Sequence, residues 1–168
     1  MESVQTKNCV LSKGAIGRKL KRMALEVAER NSSENELLIA GIKGNGEIVA
    51  KNLIKELNQF SLFKIQQTLI ELNKKEPLEV SFNEKINLEN KTIIIVDDVA
   101  NTGKTMLYAL KPFLNSHPKK IQTLVLVERS HKLFPIQTDY AGLSITTTLQ
   151  EHIGVETEGD EIVGAWLY

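Results

Sequence analysis

Hydrophobic positions recur along the chain in two rhythms that alternate. After Ser12, a residue type that caps helix N-termini, Ile16, Leu20, Met23, Ala24, Val27 and Ala28 return at helical spacing. The stretch before it, Met1 to Leu11, reads as an irregular arm or a short strand. Glu36 to Ile42 is an apolar run of strand length, and Glu47 to Leu57 returns to the helical period. Phe63 to Leu72 reads as a strand. Thr92 to Val96 is a run of β-branched residues without polar alternation, the pattern of a parallel strand buried on both faces. Met106 to Leu114 then predicts a helix with Leu107, Leu110 and Leu114 on one face, and Lys120 to Val127 another strand. Ile162 to Leu167 is a last strand candidate, weakened by Gly164. Strands alternating with helices predict an α/β fold: a parallel sheet flanked by helices, with its central strand near Thr92 to Val96.

Two segments break the rhythm. Asn73 to Asn90 is polar and interrupted, with a short apolar patch at Leu78, Val80 and Phe82, and reads as a strand pair or a flap. Glu128 to Thr148 is poor in helix signals and holds His131, Pro135, Asp139 and Gly142. Neither is long enough to divide the chain, so residues 1–168 are read as one domain.

Composition narrows the function classes. With 21 Lys+Arg against 21 Asp+Glu the formal net charge is zero, so no global field draws the chain to nucleic acid or an anionic membrane. Arg18, Lys19, Lys21 and Arg22 gather beside one helix face, which reads as a solvated face or a polyanion contact. A single cysteine, Cys9, fits a reducing compartment, and no apolar run approaches membrane-spanning length. The expectation is a soluble, cytoplasmic protein with no membrane partner. His117, His131 and His152 lie far apart without paired ligand spacing, so no metal-ligating residues are assigned.

Candidate chemistry sits after the central strand. Asp97 and Asp98 end the apolar run, and Ala100, Asn101, Thr102, Gly103, Lys104 and Thr105 form a small, polar, glycine-containing turn into the next helix. Ionised carboxylates only accept hydrogen bonds and suit hydroxyls or a metal. Turn amides, threonine hydroxyls and a lysine suit a phosphate. A sugar phosphate satisfies both halves. A nucleotide-triphosphatase loop is excluded, because its first glycine would fall at Asp98. A second strand–loop–helix unit carries Gly41, Lys43, Gly44, Asn45 and Gly46, whose spacing is not that of a dinucleotide-binding loop.

Four apolar residues, two acids, an apolar residue, a small residue and Thr-Gly resemble the phosphoribosyl-pyrophosphate motif of type I phosphoribosyltransferases. The segments Gly41-Ile42-Lys43, Leu126 to Tyr140 and Gly142 to Thr147 are similar to the branch of that family that joins uracil phosphoribosyltransferase activity to RNA-based regulation of pyrimidine genes. The resemblance implies a parallel sheet with a small hood and a flexible loop near residues 73–90. It implies transfer of ribose 5-phosphate from phosphoribosyl pyrophosphate to a nucleobase, with Mg2+ bound mainly through the substrate pyrophosphate. Asp97 and Asp98 would hold the ribose hydroxyls, Ala100 to Thr105 the 5-phosphate, and Lys43, Gly44 and Asn45 the pyrophosphate. Leu143 and Ile145 would line the base hood, Arg18, Arg22 and Lys132 are RNA candidates, and a homo-oligomer, at least a dimer, is implied.

This chain departs from the branch pattern in places. Asn45 and Glu71 stand where the branch carries arginines, and Leu143 where it carries a lysine. Lys43, Lys74 and Lys75 are the cations available to compensate. Asn101 stands where 6-oxopurine transferases carry an aspartate, and an amide cannot be a general base. The alternative reading is a nucleotide-sensing, RNA-binding regulator of pyrimidine genes with little or no catalysis.

Overall fold

The computed structural model describes residues 7–60, 63–148 and 150–168. In chain order the elements are β1 (Asn8–Ser12), α1 (Lys13–Arg30), β2 (Glu36–Ile42), α2 (Asn45–Phe60), β3 (Lys64–Leu72), β4 (Val80–Phe82), β5 (Thr92–Ala100), α3 (Lys104–Ala109), β6 (Lys120–Arg129), β7 (Tyr140–Ile145), β8 (Ile153–Glu158) and β9 (Glu161–Leu167). They make two sheets, a six-stranded one ordered β4-β3-β2-β5-β6-β7 and a three-stranded one ordered β1-β9-β8.

In the larger sheet β3, β2, β5, β6 and β7 run parallel, with β2 and β5 at the centre. Only β4 runs antiparallel, against the outer edge of β3, so the sheet is mixed rather than wholly parallel. The unbroken apolar runs are explained by burial on both faces. Leu37, Ile39, Ile94 and Val96 face one cluster with Met23, Val27 and Leu53 of the long helices. Leu38, Ala40, Ile93 and Ile95 face a second cluster with Met106, Ala109 and Phe113. Each such side chain contributes about 1.5–3 kcal/mol on leaving water.

Ser12 caps α1 as its sequence suggests, accepting a hydrogen bond from the Ala15 amide at 3.3 Å. The helix expected over Met106 to Leu114 is shorter. It ends at Ala109, and Lys111–Asn115 continues as a 3-10 turn with Pro112 near its start. Proline offers no amide to an α-helical ladder and disfavours the α conformation before it. The buried positions are Met106, Ala109 and Phe113, while Leu114 is 70% exposed, so the predicted face through Leu107, Leu110 and Leu114 is corrected by about one position.

The small sheet is where sequence reading fell short. β9 was expected, but its partner β8 was not. The two form a hairpin turning through Gly159 at φ 59°. β1 pairs with β9 on its other side, Ser12 opposite Gly164. That leaves one long edge of β8 free to face the carboxyl end of the larger sheet.

Candidate functional site

β5 does not stop at Val96 but runs on to Ala100, carrying Asp97 and Asp98 as its sixth and seventh residues. Both are buried, Asp97 to 1% and Asp98 to 8% exposure. The Asp98 amide donates to Asp97 Oδ1 at 2.9 Å, and the Val99 amide to Asp98 Oδ1 at 2.9 Å. Lys74, on the segment between β3 and β4, places Nζ 3.1 Å from Asp97 Oδ1 and 3.5 Å from Asp98 Oδ1. Burial, and then the Asp98 charge, push the Asp97 carboxyl up to about 8, with Lys74 pulling the other way. Burial depresses the Lys74 ammonium, but the two carboxylates outweigh it and raise its pKa.

The start of α2 abuts the same acids. A Cβ on Gly46 would lie 2.9 Å from Asp97 Oδ1 and 2.9 Å from the Val96 carbonyl, so only glycine lets this helix approach. Next to it, Asn45 Nδ2 donates to Asp98 Oδ2 at 3.1 Å and to the Val155 carbonyl at 2.9 Å. The Thr157 hydroxyl donates to Asn45 Oδ1 at 3.2 Å. Asn45 thus ties α2, the acid pair and β8 together.

The turn after β5 is clamped from behind. The Leu133 and Phe134 amides both donate to the Thr102 carbonyl at 3.0 Å. Gly103 sits at φ 84°, and a Cβ there would be 2.4 Å from Ile136 Cγ2. Glu128 fixes this backing loop by accepting from Lys132 at 2.8 Å and from Thr138 at 2.6 Å.

These parts enclose one cavity of about 480 Å³, lined by Asn45, Lys74, Asp98 to Met106 and His152 to Val155. The structure therefore brings together Asn45, Asp98, Ala100, Asn101, Thr102, Gly103, Lys104 and Thr105, with Asp97 behind Asp98. It separates others. Lys43 turns outward to pair with Glu71 at 3.1 Å in a different groove, and Gly44, at φ 97°, does not line the cavity. Leu143 and Ile145, assigned to the base hood, lie on edge strand β7 and pack against the first apolar cluster; the cavity's cover is β8 instead. Of the RNA candidates, Arg18 is exposed on α1, but Arg22 is held by the Ala141 and Gly142 carbonyls at 2.9 and 3.0 Å, and Lys132 by Glu128. Sequence reasoning gave no site role to His152 to Val155; the signal present was the turn Gly159-Asp160 directly before β9.

Among the described residues no group of three or more His, Cys, Asp or Glu gathers, and no helix is long and apolar enough to cross a membrane.

A mixed α/β sheet with an acid pair and a glycine turn at the carboxyl end of its central strand has close counterparts. Residues 9–160 match the family model described as phosphoribosyl transferase domain, and the chain belongs to that family. By class it is a glycosyltransferase of the phosphoribosyltransferase type. It is 34% identical over 166 residues to the bifunctional protein PyrR of Leuconostoc citreum, covering 92% of this chain and 95% of that one. It is 33% identical over 168 residues to the bifunctional protein PyrR of Bacillus cereus, covering 92% and 93%. The branch resemblance drawn from Gly41 to Lys43 and Leu126 to Tyr140 thus agrees with whole-chain similarity. Among solved structures, the hypoxanthine phosphoribosyltransferase of Trypanosoma cruzi superposes with a TM-score of 0.77 at 17% identity, covering 94% of this chain and 95% of that one, which establishes the shared fold.

Proposed function

We propose that this chain transfers ribose 5-phosphate from phosphoribosyl pyrophosphate to a pyrimidine base, uracil, releasing pyrophosphate. The observation that carries the reading is that a buried carboxylate pair and a glycine turn share one cavity of about 480 Å³, roofed by the edge of β8. Asp97 and Asp98 accept from the 2- and 3-hydroxyls of the ribose. The amides and hydroxyls of Thr102 to Thr105 hold the 5-phosphate. A ring nitrogen of the base forms the new bond to C1 as the C1–O bond breaks and its electron pair leaves with pyrophosphate; the proton on that nitrogen goes to solvent. Positioning and charge stabilisation dominate such a reaction.

The acid pair already holds a cation, the Lys74 ammonium, at 3.1 and 3.5 Å, so its oxygen donors fit a hard divalent ion as well. Magnesium, brought mainly by the substrate pyrophosphate, would neutralise charge on the leaving group, and Asp97 and Asp98 are the residues that would hold it from the protein side. Lys43, Gly44 and Asn45 are retained as the pyrophosphate side of the site, with Asn45 the member that reaches the cavity.

Uracil is favoured over a 6-oxopurine because both ends of the Asn101 amide are engaged with the Ile153 backbone, at 3.3 and 3.4 Å. The residue is a spacer there, not a base. The test is a nucleobase panel with labelled phosphoribosyl pyrophosphate, reading pyrophosphate release. Release with uracil alone is expected; release only with hypoxanthine or guanine would overturn the assignment.

A second reading is a nucleotide-sensing regulator that binds RNA. Supporting it, Asn45 is fully committed to structural bonds and Glu71 faces Lys43, so neither stands in for an arginine at the leaving group. Filter binding to a pyrimidine-leader hairpin across a salt series tests it. Affinity that falls with salt and with Arg18→Ala supports contact through α1. Rapid uracil turnover with no RNA retained would sink it.

A further inference from the structure

Lys74 is the one side chain in the cavity that reaches both buried carboxylates. Its aliphatic stem and ammonium come from the segment joining β3 to β4, where the Asn73 side chain accepts from the Lys75 amide at 3.0 Å and fixes the turn. The ammonium shares the cavity wall with Asp98, while Asn45 bonds Asp98 and Gly46 packs against Asp97 from the start of α2. A ligand in the cavity meets Lys74 where it approaches Asp98.

We propose that Lys74 is a tethered competitor for the acid pair. In the free protein its ammonium occupies the seat of the ribose hydroxyls and faces both buried carboxyl groups with one positive charge. A ligand engages the acids only by displacing it. This rests on the phosphoribosyl reading of the cavity and adds to it a selection rule. Ligands that bring both a diol and a cation displace Lys74, whereas an anion that occupies only the turn of Thr102 to Thr105 leaves it in place. Apparent affinity for the first kind is lowered by the fraction of molecules in which the seat is filled. Affinity for the second kind is untouched.

The experiment compares wild type with Lys74→Met, which keeps the stem and removes the charge, and with Lys74→Arg. Titration calorimetry with ribose 5-phosphate and Mg2+ should show Lys74→Met binding roughly tenfold tighter than wild type, a competition effect of ordinary size. Lys74→Arg should remain near wild type. Inorganic phosphate should bind all three equally. A Lys74→Met variant that binds ribose 5-phosphate more weakly, or that changes phosphate and ribose 5-phosphate in parallel, would overturn the proposal.

Wild type supplies an arm that does not depend on the variant folding. Acetylation of Lys74, read by mass spectrometry against its exposed neighbour Lys75, should accelerate several-fold when ribose 5-phosphate and Mg2+ are added. Phosphate alone should not change it. Unchanged or slower Lys74 labelling with bound ribose 5-phosphate removes the competitor role while leaving the phosphoribosyl reading intact. If neither ribose 5-phosphate nor phosphoribosyl pyrophosphate binds any of the three proteins, the phosphoribosyl reading fails and the competitor falls with it.

Discussion

The side chain of Asn101 closes a two-bond ring with the backbone of Ile153, donating to its carbonyl at 3.3 Å and accepting from its amide at 3.4 Å. An exposed edge strand normally offers these groups to water or to another chain. Here they belong to the phosphate turn, so the roof over the cavity is set by the turn itself. Asn101→Asp removes the donor and aims a carboxylate at a carbonyl beside the phosphate seat. Binding of phosphoribosyl pyrophosphate should weaken about tenfold, equivalent to about 1.4 kcal/mol. Calorimetry checks this, and unchanged affinity would show that the ring has no part in binding.

Asp97 should cost stability where it serves function. Its carboxyl is held near 8 in the fold against an ordinary value of 3.8, so between those values the folded chain keeps a proton that the unfolded chain has lost. Folding stability at this site is therefore complete in acid and falls as pH rises toward 8. Asp97→Asn does not titrate. Its melting temperature should exceed that of wild type at pH 8, by a few degrees for about 1–2 kcal/mol, and the gap should close near pH 4. Assayed above pH 8, where the Asp97 carboxyl is ionised, turnover should drop about tenfold to a hundredfold, since hydrogen bonds to charged acceptors contribute roughly 1.5–3 kcal/mol. Melting curves across pH and a rate assay measure both; a variant less stable at pH 8 contradicts the burial argument.

Gly103 carries two separate constraints, a left-handed φ of 84° and the closeness of Ile136. Gly103→Val violates both and should lower stability by about 1–3 kcal/mol. Its affinity for phosphoribosyl pyrophosphate should fall further than stability alone accounts for, because the amides of the turn move. Denaturant melts paired with calorimetry test this. A folded variant with wild-type affinity would remove the turn from the site.

Asn45→Arg puts back the charge that the branch carries, yet three hydrogen bonds through Asn45 are lost. We expect no rise in uracil turnover and a drop of several degrees in melting temperature, as about 1 kcal/mol per lost bond implies. A faster enzyme with an unchanged melting point would show that the bridge is dispensable.

Local signals and long-range ones divided sharply in legibility. The run Thr92 to Val96 was readable because covering both faces of a central strand leaves a continuous apolar record. Gly103 was readable because a turn into a helix is local chemistry. The face of α3 was not, since Leu107, Leu110 and Leu114 satisfy the same period as Met106, Ala109 and Phe113, and the sheet decides which is buried. β8 carries a weak sequence signal because Ile153-Gly154-Val155-Glu156-Thr157-Glu158 has only two large apolar residues. Gly154 is in fact packed under the Tyr168 ring, whose Cε2 would lie 3.0 Å from an added Cβ. That Lys74 meets Asp97, or that Leu143 packs against the first apolar cluster, is decided by tertiary packing that no spacing encodes.

The pairing of β1 with β9 sets the order in which the cavity is built. Asn8 opposite Leu167 joins the two ends of the described chain, a closure whose entropy is met only after the rest has condensed. During synthesis, β2, α2 and β5 have their partners before β8 and β9 leave the ribosome. The floor of the site, with its two acids, is thus finished while its roof is still unmade. Pulse-labelled hydrogen exchange during refolding should find β2 and β5 amides protected before those of β8 and β9. Protection of β8 and β9 last would make their sheet the element that completes the cavity.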